Sequence, residues 1–366
     1  MTRHYLDHAS TSVLRPEALA AMTEWLGKTG DPGRIHAEGL EARVTVETAR
    51  EQVADLLGAR PRSVVFTSGA TEAIAAACWG GAELGGHQVL AAVEHSAVRL
   101  GAEAHGAVTV VGVDTLGRVD PDELLAAIRP DTCVVHIQWG NHEVGTTQPV
   151  ADVVSRCRDR GVLVHVDAAQ AVGHDAIAFD ELGADLLSVS AHKLGGPTGV
   201  GALLVRRGLR MRSLLVGGDQ ERARRAGLEP VAAIAGFGAA VAAIDVEGEQ
   251  AHQRRLTERV LDAAPTMDGV RVYGDPVGRL PHLACLGIEG IEPQAVLLGL
   301  DRAGIAAHSG SACSSEALEP SPVLEAMGVD AHRSLRLSVG WTTNDADITA
   351  ALTALPGIIE GLRALR

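Results

Sequence analysis

The chain has 366 residues, 46% hydrophobic and only 2% aromatic, so it can bury a large core that Val, Leu, Ile and Ala must fill. Its formal net charge of −14 argues against nucleic acid as a partner. No apolar run reaches membrane-spanning length and the opening residues, MTRHYLDHAS, lack the apolar segment of a signal peptide, so a cytoplasmic protein without membrane contact is expected.

Taken in order, residues 1–14 carry the short segment YLDHASTSVL, followed by the helical pattern RPEALAAMTEWL with Pro near its start. The loop GDPGRIHAEG precedes a long helical pattern from Leu40 to Leu57. From Val64 strands and helices alternate: VVFTSG before ATEAIAAACWGGA, QVLAAV before EHSAVRLGAEA, VTVVGV before PDELLAAIR, and TCVVHIQ before PVADVVSRCRDRG. Such alternation predicts βαβ units, hence an α/β domain whose mostly parallel sheet is flanked by helices. Three further apolar runs, Val162 to Val166, Leu186 to Ser190 and Gly201 to Val205, read as buried strands. GGDQERARRAGLEPV then reads as a charged loop, and one long helical region runs from Val231 to about Ala264. The rest mixes the strands HLACLGI and SLRLSVG with helices at Pro293 to Ala303 and Asp345 to Leu365, a smaller α+β domain. The expected division is 13–250 for the large domain, and 1–12 with 251–366 for the small one.

Asp167 closes the first of those three runs, and Ser190, His192 and Lys193 close the second. Ligands of open α/β sheets bind at the carboxyl ends of strands. An acid and an amine delivered there suit a cofactor with a basic ring nitrogen and a reactive aldehyde, pyridoxal 5'-phosphate. Lys193 and Lys28 are the only lysines of a chain rich in arginine. Arginine could not take this place, because its guanidinium stays protonated while a lysine amine can be made neutral by its surroundings. The plainer alternative for Lys193 is a surface cation at a turn.

In FTSGATEA a strand runs through a glycine turn into a helix, so Gly69 and Ala70 can offer backbone N–H groups, and Thr71 a hydroxyl, to a phosphate at the positive helix end. A simple N-cap by Ser68 or Thr71 is the competing account. Ser190 and His192 could complete the phosphate cup. Asp167 would pair with the ring nitrogen, Gln170 would reach the ring hydroxyl, and His95 would stack on the ring and move protons, unless it is a core or capping histidine. Five cysteines in an odd set with no CxxC spacing fit neither a disulfide framework nor a zinc site, and no metal is expected. Cys78, Cys133, Cys157 and Cys285 sit in apolar or helical contexts as small core residues, whereas Cys313, in HSGSACSSEALEPS, reads as an exposed loop thiol.

The motifs YLDHAST, FTSGATE, EHSAV, NHEVGTTQPV, HVDAAQAVG, SVSAHKLGGPTGVGAL, SGSACSSEALEPSPVLEAMG and SLRLSVGWTT follow one another along nearly the whole chain. In these the chain resembles the cysteine desulfurases of the NifS/IscS type, within the class V aminotransferase-like pyridoxal phosphate enzymes. The resemblance implies the aminotransferase fold type I, with Lys193 as the Schiff-base lysine, Asp167 and Gln170 holding the ring, and His95 stacked on it. It also implies a phosphate site of Thr71, Ser190 and His192, and Arg336 as partner of the substrate carboxylate. Cys313 matches the nucleophile that takes sulfur from L-cysteine and passes it to an acceptor protein whose identity the sequence does not name, in a homodimer. His95 or His308 could deprotonate the Cys313 thiol.

Three departures from the family pattern stand out. Asn141, His142 and Glu143 replace Asn-Asn-Glu, so an imidazole occupies a substrate- and cofactor-contacting position beside Asn141. Arg225, Ala226, Gly227 and Leu228 replace Arg-Ser-Gly-Thr, so leucine cannot give the phosphate contact that threonine lends across a dimer interface. The sequence stops at Arg366 without the tail that meets a scaffold protein in some relatives, which makes delivery to an iron–sulfur scaffold questionable. A C–S or selenocysteine lyase of the same fold that does not need Cys313 is the alternative activity.

Overall fold

The computed structural model describes residues 3–81, 86–311 and 320–365. Its strands are β1 (His4–Tyr5), β2 (Val64–Thr67), β3 (His87–Ala91), β4 (Val108–Val111), β5 (Thr132–Gln138), β6 (Leu163–Asp167), β7 (Leu186–Ser190), β8 (Gly201–Val205), β9 (Val270–Tyr273), β10 (Leu283–Ile288), β11 (Ile305–Ala306) and β12 (Ser334–Ser338). Seven of them form one sheet in the order β2-β8-β7-β6-β5-β3-β4. β3, β4, β5, β6 and β7 pair in parallel, while β8 runs antiparallel to both β7 and β2. Two antiparallel steps restore the direction, so β2 points the same way as β7 and their carboxyl ends share one edge of the sheet. Burial on both faces explains the continuous Val and Leu runs in these strands.

A second sheet, β12-β10-β9, is antiparallel, and β1 pairs with β11. Buried apolar side chains collect in two main clusters. One, from Ala9 to Met327, surrounds the seven-stranded sheet; the other joins Leu6 to side chains between Leu256 and Ile359.

The long helical region expected after Val231 is two helices, Val231–Ala242 and Val246–Ala263, bent by 77°. The break has a local cause: Asp245 caps the second helix by accepting from the Gly248 N–H at 3.1 Å. In the first helix, Gly236 lies against Met22 and Gly238 against Ala49, which brings it close to helices Pro16–Leu26 and Ala37–Leu56. Among the described residues no single helix is long and apolar enough to cross a membrane. Cys78, Cys157 and Cys285 are buried as expected, but Cys133 is half-buried near the start of β5.

The segment read as a charged loop contains a buried anchor. Glu221 is 5% exposed and receives two hydrogen bonds from the buried Arg50 guanidinium, at 2.7 and 2.8 Å, and one from the Phe66 N–H at 2.9 Å. Glu221, Arg222 and Ala223 all have positive φ, at 49°, 60° and 60°. Three left-handed residues in a row are unfavourable without glycine, and the buried ion pair holds them in place. A few residues on, Arg225 pairs with Glu72, which also accepts from the Ser68 N–H at 2.8 Å, so this segment braces the turn after β2. Glu221→Ala leaves the Arg50 charge buried and should lower unfolding free energy by about 3–5 kcal/mol, measured by chemical denaturation.

Candidate active site

The carboxyl ends of β2, β6 and β7 and the turn after β3 open onto a cleft of about 390 Å³. Asp167 is the last residue of β6, set opposite Gln138 on β5 and Ser188 on β7. Its Oδ1 accepts from the Ala169 N–H at 3.1 Å and the Ser188 hydroxyl at 3.0 Å, while Oδ2 has no partner among the described residues. β7 ends at Ser190 and the 3-10 turn Ala191–Lys193 carries His192 and Lys193 to the same cleft.

Lys193 is no surface cation. Its Nζ donates to the backbone carbonyls of Ala9 and Ser10 inside the cleft. Burial, with the Arg336 charge adding to it, lowers its pKa to about 8 against the opposing pull of Asp7 and Asp167. Arg336, on β12, is 3% exposed and donates through Nη1 to the His142 carbonyl at 2.7 Å and through Nη2 to Asp7 at 3.0 Å and Ser10 at 2.9 Å. Its Nε is buried without a partner among the described residues.

Gly69, Ala70 and Thr71 line the cleft where helix Ala70–Gly81 begins. The first N–H groups of a helix have no intrahelical acceptor, so this end is available to an anion. Ser190 and His192 line it too. His192 Nδ1 is buried with no partner among the described residues, and burial, reinforced by Lys193, lowers its pKa to about 4. Gln170 also faces the cleft, and its Nε2 lies 3.1 Å from His282 Nε2.

His95 both caps and lines: Nδ1 accepts from the Ala97 N–H at 3.1 Å to cap helix Ser96–Glu103, while the ring borders the cleft. That bond leaves Nε2 to carry the proton of the neutral ring. The His142 ring meets it edge-on, with centroids 5.2 Å apart. Burial chiefly, then Lys193, lowers the His95 pKa, with Asp167 opposing; burial, then His95, Arg336 and Lys193, push that of His142 well down. Both are therefore neutral at pH 7.

Asn141 is not brought to the cleft wall. It is fully buried, its Oδ1 taking the N–H groups of Glu143 and Val144 and its Nδ2 donating to the Val93 carbonyl, so it shapes the turn that presents His142. Cys313 lies outside the described residues. His308 lines the cleft, with its pKa lowered by burial and then by Arg336. Leu228 is 59% exposed. Among the described residues no group of three His, Cys, Asp or Glu side chains could hold a metal ion.

Six residues carried no assigned role in the sequence. Asp7 and Ser10 hold Arg336, and the Ala9 carbonyl holds Lys193; the polar cluster in YLDHAST was the available signal. Gln138 was legible as the residue closing a strand. Glu94 gave no signal and Glu143 stood in the Asn141-His142-Glu143 motif without an assigned role: burial raises their pKa values to about 8 and about 7, and each keeps one oxygen without a partner among the described residues.

The chain belongs to the class-V aminotransferase family, whose sequence pattern it matches over residues 4–350. It is 39% identical to the cysteine desulfurase IscS of Dictyoglomus turgidum, over 99% of this chain and 95% of that one. It is 41% identical to a cysteine desulfurase of Trichormus azollae, over 99% and 94%. Among solved structures, a NifS-like protein from Rickettsia africae superposes with a TM-score of 0.91 at 29% identity, covering 98% of this chain and all of that one (100%). SspA in complex with cysteine superposes with a TM-score of 0.82 at 28% identity, over 93% and 100%.

A Lys193 amine with a pKa near 8 is protonated below that pH and free above it, while Lys28, held by Glu24 and Glu41, is raised above the ordinary lysine value. In the cofactor-free protein, condensation of Lys193 with an aldehyde, trapped by borohydride and read by peptide mass analysis, should rise through about pH 8. Lys28 should remain unmodified there.

Proposed function

We propose that this chain is a pyridoxal-phosphate-dependent cysteine desulfurase that converts L-cysteine to L-alanine and keeps the sulfur as a persulfide on Cys313. One observation carries the reading: in one cleft, Lys193 has an amine easily made neutral, and among the described residues Asp167 has an unpaired carboxylate oxygen and Arg336 a buried N–H without a partner. The full-length similarity to cysteine desulfurases supports it and disfavours a lyase independent of Cys313.

The donor and acceptor set fits pyridoxal phosphate, and the class-V family is in general one of enzymes that use it. The orphaned His192 Nδ1 and the helix start at Gly69, Ala70 and Thr71, with Ser190, suit its phosphate. Asp167 would pair with the ring nitrogen, Gln170 would meet the ring hydroxyl, His95 would cover the ring face and Lys193 would hold the aldehyde carbon. When bound, the cofactor supplies a sink for electrons left on the substrate α-carbon.

The remaining work falls to the protein. Arg336 binds the cysteine carboxylate, its planar fork suiting two parallel hydrogen bonds, with His142 beside it setting the substrate's position. The Lys193 amine takes the α-proton. The Cys313 thiolate attacks the substrate sulfur, the S–Cβ bond breaks, and the former substrate sulfur becomes the outer atom of the persulfide. Lys193 and the neutral imidazoles of His95 and His308 are the groups lining the cleft that can carry the protons this requires.

An acceptor protein then removes the sulfur. The exposed apolar side chains Leu19, Leu26, Leu40 and Val44 support a homodimer, and a cytoplasmic setting belongs to the same reading. The cluster of Leu6 with side chains between Leu256 and Ile359 supports a small domain of 1–12 with 251–366 beside a large domain of 13–250, while Ala9, Leu280, Leu283, Cys285, Val323, Leu324 and Met327 pack with the large domain's cluster.

Cys313→Ser should lower sulfur release from L-cysteine by roughly two orders of magnitude or more while the cofactor still binds. Mass analysis of the intact wild type after cysteine addition should find one added sulfur on Cys313; undiminished release from the variant would favour the lyase. Arg336→Gln should raise KM for cysteine roughly 10- to 100-fold, the span expected for loss of a charge-assisted hydrogen bond, in steady-state kinetics.

A further inference from the structure

Behind Asp167 a line of side chains runs across the middle of the sheet. Ser188 Oγ donates to Asp167 Oδ1 at 3.0 Å, and His165 Nε2 lies 3.2 Å from Ser188 Oγ. His165 Nδ1 lies 3.0 Å from His136 Nδ1, and His136 Nε2 lies 2.7 Å from Gln88 Oε1. Gln88, His136, His165 and Ser188 are all 0% exposed. Strand pairing makes the line continuous: His136 stands opposite His165, and Asp167 opposite Ser188. Strand alternation keeps His165 on the same face as Asp167, and His136 on that of Gln138.

Counting hydrogens gives the line a direction. Ser188 has one O–H and gives it to Asp167, so the hydrogen between Ser188 and His165 belongs to His165 Nε2. Burial lowers the pKa of His136 to about 3 and, with His136 adding to it, that of His165 well below its ordinary value, so each ring is neutral with one N–H. His165 Nδ1 is then an acceptor and takes the hydrogen of His136 Nδ1. His136 Nε2 is an acceptor in turn, which requires the amide oxygen and nitrogen of Gln88 to be exchanged from their placement with Oε1 towards the ring, an exchange that leaves the shape of the side chain unchanged. The exchange replaces the 3.4 Å hydrogen bond from Gln88 Nε2 to the Ala102 carbonyl by two facing oxygens. Every hydrogen then points from the core towards the carboxylate, and successive bonds polarise one another.

We propose that Ser188 and His165 are positioning residues that commit Asp167 Oδ1 to the core and present Oδ2 to the cleft, strengthening its hold on the ring nitrogen of pyridoxal phosphate. Neither residue touches the cofactor. The inference rests on the pairing of Asp167 with that nitrogen, and apolar side chains would have filled the same volume without two buried imidazoles that need partners.

The test compares two ligands in the cofactor-free protein: pyridoxal phosphate and its carbocyclic analogue, in which C–H replaces the ring nitrogen. Equilibrium Kd values are measured for wild type, Ser188→Ala, His165→Leu and His165→Gln, with a thermal melt of each. The wild type should prefer pyridoxal phosphate. Ser188→Ala and His165→Leu should each cut that preference about tenfold, with analogue affinity unchanged, and His165→Gln, which keeps a donor, should retain most of it. A preference intact in both Ser188→Ala and His165→Leu would overturn the proposal and leave the Asp167 pairing standing. No preference in the wild type would overturn the pairing itself and the proposal with it. Should the histidine variants fail to fold, 15N-histidine NMR of the wild type decides: slowly exchanging ring N–H signals from His136 Nδ1 and His165 Nε2 support the line, and their absence refutes it.

Discussion

The burial of one amine at the carboxyl edge of a parallel sheet is the constraint on which the rest depends. Lys193 is neutralised most easily where it is withdrawn from water, and the N-terminal segment covers part of it, the Ala9 and Ser10 carbonyls accepting from Nζ. The same segment holds Arg336 through Asp7 and Ser10. Two cations, one for covalent chemistry and one for recognition, are thus fixed by a single stretch far from both in sequence. Their mutual repulsion lowers the Lys193 pKa beyond the effect of burial, and Asp7 and Asp167 limit how far it falls.

Sheet topology makes this edge possible. With β8 reversed between β2 and β7, the phosphate-facing helix start after β2 arrives beside the Lys193 turn after β7, and β6 places its terminal carboxylate next to both. A fully parallel order would have required another crossover helix between β7 and β8. The short antiparallel connection instead brings Thr198 and Gly199 to the cleft wall.

The alternation of apolar runs with helical patterns made the sheet legible, because strands buried on both faces must be continuously hydrophobic. Lys193, Asp167 and the FTSGATEA turn were legible because unusual residue types stood at strand ends. Other features depend on distant partners. Nothing local marks Glu221 as buried, since its partner Arg50 lies 171 residues away. The bend at residues 243–245 was hidden inside a continuous helical pattern. Asn141 looked like a contact residue by its motif, whereas its amide is consumed by the turn it stabilises.

The interior is also unusually rich in imidazole. Besides the His136 and His165 pair, His174 and His282 stack with centroids 3.6 Å apart, and each of these rings has its pKa depressed by burial. Unfolded, each would titrate near its ordinary value, about 6.5. Below that pH the unfolded chain binds protons that these native rings refuse, so their contribution to stability declines with acidification from about 6.5 towards 4. The buried carboxyls of Glu94 and Glu143, raised to about 8 and about 7, pull the other way, their contribution being greatest in acid and lost as pH rises through those values, so the interior sets opposing acid and alkaline limits on the fold.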